Sequence, residues 1–236
     1  AFARELPDHL KASIRARFAD TINKIKFAKI NNIAHTSAAY ILNAANSQMA
    51  GGGGVDGAIH EEMNRYIHQT KYTAYSAITR VHNPLKIGTL ATTDGLGRFE
   101  RVLHTVAPNG SQPKTEQERL LFDCYFNALS YVALQPTGDI ALTLLGTGAY
   151  KCDVDISVTQ LLKAAFLTGT AERIYLFERS YKLRDSLEAR LTIKFDCVSG
   201  AAIPFSHDPL TLNDDVLSSF DIRGRSNLLR CNRKLP

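Results

Sequence analysis

The sequence contains no tryptophan and only four cysteines among its 236 residues. The cysteines show no Cys-x-x-Cys spacing, and no histidines accompany them at the intervals of metal ligands. We therefore expect no metal site, no redox pair and a reducing compartment. The scattered aromatic residues also fail to form the series of stacking surfaces typical of proteins that bind single-stranded nucleic acid.

Long apolar runs are missing as well. No segment approaches the roughly 18–20 apolar residues that a membrane-spanning helix needs, and residues 1–5 lack the apolar core of a signal peptide. These observations predict a cytoplasmic protein without membrane association, or one delivered to a host cytosol if the chain is a secreted effector. A hydrophobic content of 44% and a mean hydropathy of −0.14 are ordinary for a soluble globular protein.

The positive charge is concentrated at one end of the chain. Residues 221–236 hold five basic residues and one acidic residue, which accounts for +4 of the total net charge of +5. Residues 1–220 therefore carry only +1. This nearly neutral body argues against a nucleic-acid-binding surface, although a basic pI taken alone favours one.

The hydrophobic pattern alternates between helices and short apolar strands. Helices are predicted over the first twenty residues and near 56–67, 115–132, 156–167 and 179–189. Strands are predicted over 25–30, 38–42, 86–92, 101–107, 139–145, 173–177 and 191–197. Continuous apolar strands alternating with helices indicate a sheet covered on both faces, an α/β sandwich.

Three regions follow from this pattern. We predict an N-terminal amphipathic helix over residues 1–24, a core domain over residues 25–198 and a basic C-terminal extension over residues 199–236. The extension loses the periodicity of the core and gains proline, asparagine and aspartate.

Two glycine-containing loops each follow a predicted strand and precede a helix. Five of the 15 glycines lie between Gly51 and Gly57, and a second loop contains Gly146-Thr147-Gly148. Such loops expose backbone N–H groups beside a helix N-terminus, which suits a phosphate group without basic side chains. The first loop lacks the Gly-Lys-Ser/Thr end of a Walker A motif, and Lys151 replaces the third glycine of a dinucleotide fingerprint.

The segment from Asn43 to His60, Asn-Ala-Ala-Asn-Ser-Gln-Met-Ala-Gly-Gly-Gly-Gly-Val-Asp-Gly-Ala-Ile-His, resembles the signature of the macrodomain family. The resemblance is to the branch of MacroD-type ADP-ribosyl hydrolases. Residues 88–95, 101–108 and 145–150 resemble further family segments in the same order, so that about residues 25–195 are covered. The resemblance implies a three-layer α/β/α sandwich with a mixed, mostly parallel central sheet.

The resemblance also implies a binding site for ADP-ribose. Asn32 stands where the family places an aspartate that accepts the adenine amino group, and the first loop and Asn46 surround the diphosphate and the distal ribose. Tyr150 matches an aromatic residue that packs on this ribose. The expected ligand-binding residues are Asn32, Ile33, Asn43, Asn46, Gly53, Gly54, Val55, Gly146, Thr147, Gly148, Ala149, Tyr150 and Phe177.

The expected catalytic residues are Asp56, His60 and Asn46, without a metal or cofactor. By resemblance, Asp56 orients or deprotonates the water that attacks the anomeric carbon of the distal ribose, with His60 nearby. On residue types alone, Asp56 reads as a helix N-cap and His60 as its surface neighbour. His104 is expected to complete a strand end and Thr93 to bond the backbone locally.

Several residues depart from the family pattern. Asn32 keeps an oxygen acceptor but lacks the charge of aspartate, and it is equally interpretable as part of a polar turn. Lys151 replaces the usual glycine after the aromatic residue, and Gly146 replaces a serine.

The predicted function is the hydrolysis of mono-ADP-ribose from acidic side chains of proteins by a monomeric domain. The predicted partners are ADP-ribose and mono-ADP-ribosylated proteins, with no nucleic acid. Two alternatives share the same site: a non-catalytic reader of ADP-ribose, and an enzyme that deacetylates O-acetyl-ADP-ribose or processes ADP-ribose 1''-phosphate. The retention of Asp56 and His60 favours an enzyme over a reader.

Overall fold

One six-stranded sheet forms the middle layer of the fold. The computed structural model describes residues 8–28, 31–169, 172–179 and 185. In chain order the strands are β1 (Ile25–Phe27), β2 (Tyr40–Ala44), β3 (Leu90–Asp94), β4 (Arg101–Thr105), β5 (Ile140–Thr143) and β6 (Ile174–Phe177). Their order across the sheet is β1-β6-β5-β2-β4-β3. All neighbours are parallel except β3, which runs antiparallel to β4.

Helices cover both faces of this sheet. They are α1 (Asp8–Lys24), α2 (Gly54–Tyr66), α3 (Tyr75–Thr79), α4 (Lys114–Ala133) and α5 (Val154–Thr168), with short 3₁₀ turns at Ile33–His35, Ile67–Gln69 and Arg80–His82. In the described part of the chain, no helix combines the length and the apolarity that a membrane crossing requires.

The period-two alternation of side chains along the strands separates two hydrophobic cores. In β2, Tyr40 and Leu42 face a core that contains Phe18 of α1 together with residues of α4 and α5. Ile41 faces the opposite core, which contains Ile59 of α2 and residues of α3. These two cores make the protein a three-layer α/β/α sandwich with a mixed, mostly parallel sheet, as the sequence predicted.

The element boundaries differ from prediction in a few places. The strand predicted at 86–92 begins at Leu90 because Thr89 turns back on Lys86, with both its backbone N–H and its hydroxyl donating to the Lys86 carbonyl. The first helix is described from Asp8, and α3 had no counterpart among the predicted elements. The predicted helix 179–189, the strand 191–197 and the extension 199–236 lie outside the described residues, apart from positions 179 and 185.

A half-buried arginine, Arg98, links the turn before β2 to the rest of the fold. The Arg98 guanidinium donates to the carbonyls of Ala34 and Thr36 at 2.6 and 2.7 Å and to Glu62 Oε1 at 3.2 Å. It also lies over the Phe99 ring, 4.4 Å from its centroid. The Arg98 side chain is 17% exposed and that of Glu62 is 9% exposed, so water does not replace these partners readily.

We expect Arg98→Ala to lower the free energy of unfolding by roughly 2–4 kcal/mol, because it removes the donor of two carbonyls and leaves the Glu62 carboxylate with only the exposed Arg65 as its partner. Denaturant-induced unfolding measures this loss. The matched control is Arg101→Ala, whose ion pair with Asp94 is exposed and 3.7 Å long, and which we expect to cost less than about 0.5 kcal/mol. Equal losses in the two variants would contradict the assigned role of Arg98.

Candidate functional site

The two glycine-containing loops meet at the same edge of the sheet. The first loop, residues 45–53, joins β2 to α2, and the second loop, residues 144–152, leads from β5 to α5. Strands β2 and β5 are parallel neighbours, so their carboxyl ends and the loops that follow lie side by side. This is the position at which open α/β sheets bind ligands.

A cavity of about 1000 Å³ lies between the loops, a volume within the usual range for small-molecule sites. Its wall brings together residues from the 3₁₀ turn before β2, both loops, the start of α2 and the end of β6. The lining residues are Asn31, Asn32, Ile33, Ala44, Ala45, Asn46, Gly52, Gly53, Gly54, Val55, Asp56, Ala58, Ala107, Thr143, Leu144, Gly146, Thr147, Gly148, Ala149, Tyr150, Phe177, Glu178 and Arg179.

The first loop lies directly against the first turn of α2. A Cβ added to Gly57 would stand 2.3 Å from the Gly52 carbonyl oxygen, which is far inside van der Waals contact. Gly51 has φ +79°, and a Cβ there would lie 2.9 Å from His60 Nδ1. Close approaches thus require glycine at positions 51 and 57, where the loop backbone lies against the N-terminal turns of α2.

Asp56 is the central ionisable group of the site. It is the third residue of α2, whose N-cap is Gly53, so Asp56 is not the cap that its residue type alone suggested. Its Oδ1 accepts from Asn43 Nδ2 at 2.7 Å and its Oδ2 accepts from Asn46 Nδ2 at 3.2 Å. Asp56 lines the cavity while remaining 5% exposed, so the carboxylate is oriented by two amides at the cavity wall.

His60 lies one helical turn after Asp56 and behind it. Its Nε2 is 3.4 Å from Asp56 Oδ1, and its ring packs edge-on against Tyr75. Burial lowers the pKa of His60 and outweighs the opposing attraction of Asp56. His60 therefore acts on the site as a neutral, buried neighbour of the carboxylate, and it does not line the cavity.

A buried polar cluster continues from Asp56 into the fold. Asn43 Nδ2 also lies 3.1 Å from His104 Nδ1, and His104 Nε2 lies 2.8 Å from Thr93 Oγ1, which in turn contacts the hydroxyl of Tyr75. Thr93 thus pairs with side chains of β4 and α3, and the prediction of a local backbone bond for it was wrong. Burial lowers the pKa of His104 to about 3, so its ring is neutral.

The second loop is anchored at its start. Leu145 donates its backbone N–H to the Tyr125 hydroxyl at 2.7 Å, and its carbonyl accepts from Ser157 Oγ at 2.9 Å. Further along, Gly110 N donates to the carbonyl of Tyr150 at 2.7 Å. These contacts leave Thr147, Gly148 and Ala149 at the cavity.

The opposite end of the cavity is formed by the 3₁₀ turn before β2. Asn32 caps this turn, since its Oδ1 accepts from Ala34 N at 2.9 Å. Asn32 also lines the cavity together with Ile33. A carbonyl oxygen carries two lone pairs, so capping leaves one for a ligand donor. Asn32 is therefore both the cap of the turn and a candidate ligand contact.

The structure brings nearly all predicted site residues to one cavity. Asn43 and His60 are the exceptions, because both lie behind its wall. Asn43 is fully buried and contacts Asp56 and His104 instead of open space. Among the described residues, no group of three or more histidine, cysteine, aspartate or glutamate side chains is arranged to hold a metal ion.

Sequence reasoning missed some lining residues. Thr143 ends β5 and Leu144 follows it, and Glu178 and Arg179 follow β6 at the same edge of the sheet. Their position at the carboxyl ends of predicted strands is the signal that marks them. Arg179 adds a basic side chain to a cavity whose other predicted donors are mostly backbone amides.

The Macro domain family model matches residues 42–161, just over half of the chain. The chain belongs to the macro domain family. The match contains both loops and Asp56. It also contains Asn43, Thr93 and His104 of the buried cluster.

Curated relatives include the macro domain-containing protein mll7730 of Mesorhizobium japonicum, 33% identical over 116 residues, which are 49% of this chain and 61% of that protein. The O-acetyl-ADP-ribose deacetylase of Citrobacter koseri is 35% identical over 111 residues, 47% of this chain and 60% of that enzyme. The chain thus spans about 60% of the length of these relatives.

Solved macrodomain structures share the fold. The Oceanobacillus iheyensis macrodomain with ADP is 26% identical with a TM-score of 0.55, and the similarity covers 73% of this macro domain and 95% of that chain. The Trypanosoma brucei macrodomain in complex with ADP-ribose is 19% identical with a TM-score of 0.57, covering 81% and 92% of the two chains. The second similarity concerns the fold alone.

Lys151 occupies an unusual backbone conformation in the second loop, with φ +59°. A residue with a Cβ is strained there, so we expect Lys151→Gly to raise the free energy of unfolding by about 0.5–1 kcal/mol. Denaturant-induced unfolding measures the change. Lys151→Ala is the control, because it removes the charge and keeps the strain. A gain of the same size in the alanine variant would assign the effect to the charge.

Proposed function

We propose that this macro domain binds ADP-ribose in the cavity between its two loops and hydrolyses mono-ADP-ribose from acidic side chains of proteins. The observation that supports the proposal is the Asp56 carboxylate at the cavity wall, held by Asn43 and Asn46 beside the N-terminus of α2. The same arrangement supports our proposal that the domain belongs to the MacroD-type branch of the family.

Backbone amides are suited to hold the diphosphate. The first N–H groups of α2, from Gly54 onward, have no partner within the helix, and the N-terminus carries a partial positive charge. The second loop presents Gly148 and Ala149 from the other side of the cavity. A diphosphate between the loops would receive donors from both without any lysine.

The distal ribose then lies next to Asp56. A carboxylate within hydrogen-bond reach of a water can act as general base for its attack on the anomeric carbon, and the departing carboxylate of an Asp or Glu ester is a good leaving group. Tyr150 also lines the cavity and would supply an apolar face for the sugar. His60 supports Asp56 from behind without reaching the ligand.

Deacetylation of O-acetyl-ADP-ribose is a second candidate, favoured by curated relatives that carry this name at 33–35% identity. Both candidate substrates are esters of the same ADP-ribose unit, so the same cavity and base would serve either reaction. Mass spectrometry separates them: release of acetate from the small molecule against release of ADP-ribose from a modified protein. The reader alternative predicts binding without any product.

We expect Asp56→Asn to lower kcat on a protein mono-ADP-ribosylated at acidic residues by about 100-fold or more, because it removes the general base and keeps the shape of the side chain. The affinity for free ADP-ribose, measured by calorimetry, should change by less than about 5-fold, since the backbone donors remain. The control is Asp123→Asn on α4, a partly exposed aspartate that pairs with Arg119. Unchanged turnover in the Asp56 variant would exclude the proposed mechanism.

We expect Asn32→Asp to bind ADP-ribose about 3- to 10-fold more tightly, because a carboxylate accepts the adenine amino group with charge assistance. Aspartate also keeps the cap on the 3₁₀ turn. Calorimetric titration measures the change, and ribose 5-phosphate, which lacks adenine, is the control ligand. An equal gain for the control ligand would show that Asn32 does not lie at the adenine.

A further inference from the structure

Hydrogen bonds join five side chains in the buried polar cluster that begins at Asp56: Asp56, Asn43, His104, Thr93 and Tyr75. Asn43 and His104 are opposite one another in the register of β2 and β4, and both are fully buried. Thr93 lies on the neighbouring β3 and is also buried. The cluster runs from the cavity wall through three strands to Tyr75 on α3, yet among these side chains only that of Asp56 reaches the cavity.

The Asp56 carboxylate sets the orientation of the Asn43 amide. Asn43 Nδ2 lies 2.7 Å from Asp56 Oδ1, and only the NH₂ end of the amide can donate to a carboxylate. The second N–H of this group then points to His104 Nδ1 at 3.1 Å, which must accept. A reversed amide would place two oxygens against each other.

The accepting Nδ1 fixes the tautomer of His104. Its neutral ring carries the proton on Nε2, which donates to Thr93 Oγ1 at 2.8 Å. The opposite tautomer would direct an N–H at the Asn43 amide and favour its reversed orientation. The Thr93 hydroxyl can donate or accept, so it accommodates the tautomer that Asn43 sets.

Nothing else in the described part of the chain restrains the Asn43 amide. Its Oδ1 is buried and has no hydrogen-bond partner among the described residues. The preference for one amide orientation thus comes only from Asp56 on one side and His104 on the other. Buried polar groups left unpartnered are rare, and this one is tolerated where the amide serves two acceptors at its nitrogen.

We propose that Asn43 and His104 are positioning residues that fix the orientation of the Asp56 carboxylate for its role as general base. The inference rests on the proposed function. Neither residue touches the ligand. His104 acts on Asn43, and Asn43 holds Oδ1 of Asp56 while Asn46 holds Oδ2. The two amides together set the plane of the carboxylate.

Two substitutions of His104 test the contacts of its two ring nitrogens separately. An asparagine side chain places its polar group near the position of Nδ1, whereas a glutamine places its amide near that of Nε2. His104→Asn keeps an acceptor for Asn43 and loses the link to Thr93, while His104→Gln keeps the link to Thr93 and loses the acceptor. Both variants remove the ring, and asparagine, which is one methylene shorter, leaves the larger cavity, so that packing alone would make His104→Asn the more costly change.

We expect His104→Gln to lose about 10-fold more kcat than His104→Asn, because a misaligned general base slows the chemical step. The affinity of both variants for ADP-ribose should stay within about 3-fold of the original protein. Melting temperatures record the loss of packing. A merely structural role of His104 predicts equal kcat values in the two variants, or losses that follow the melting temperatures, and either result would overturn the proposal.

The tautomer of His104 can be measured directly, without an activity assay and without a variant. In the ¹⁵N-labelled original chain, long-range ¹H–¹⁵N spectra should show His104 at neutral pH with a protonated Nε2 and an unprotonated Nδ1. A protonated Nδ1 on His104 would contradict the inference, and this measurement remains decisive even if neither variant folds. A protein with the expected tautomer but no hydrolysis would instead refute the proposed function, and the catalytic role of the pair with it.

Discussion

The contact between the Gly52 carbonyl and the backbone of Gly57 is the constraint on which the site depends. No Cβ fits at position 57, so the loop after β2 can lie flat against α2 only with glycine there. This contact holds the loop against the first turn of α2, whose first residues line the cavity. It also places Asp56 within reach of Asn43 on the strand and Asn46 in the loop.

The electrostatics of the site agree with the near-neutral body of the chain. Helix N-termini and loop amides provide donors whose partial charges are fixed in direction, and they need no counter-ion when the cavity is empty. Under the proposed function, backbone donors would hold the diphosphate, and side chains such as Asp56 and Tyr150 would act at the sugar.

The sequence was sufficient for the elements that local patterns define. The apolar strands, the long helices and the glycine loops were predicted, because periodicity and glycine placement depend on neighbours along the chain. The layer arrangement followed from the continuous strands. The cavity lining was largely predicted through the family resemblance, whose motifs lie at strand ends.

The hydrogen-bond partners of Asn43 were the part of the site that the sequence could not predict. Period-two alternation puts Asn43 on the same face as Ile41, under α2, and this is a signal against direct ligand contact. Its pairing with His104 depends on the register between β2 and β4, which are far apart in the chain. No local pattern encodes that register. Thr93 was misassigned for the same reason, since its partners come from β4 and α3.

The neutral ring of His104 also couples folding to acidity. The pKa of its imidazole falls from an ordinary 6.5 to about 3 in the folded protein, so the unfolded chain binds a proton more readily. Stability contributed by the neutral ring is present above pH 6.5 and declines by up to about 1.4 kcal/mol per pH unit as the pH falls from there toward 3. The buried cluster that hydrogen-bonds to the Asp56 carboxylate therefore also makes the native state less stable in acid, although solvent does not reach the His104 ring.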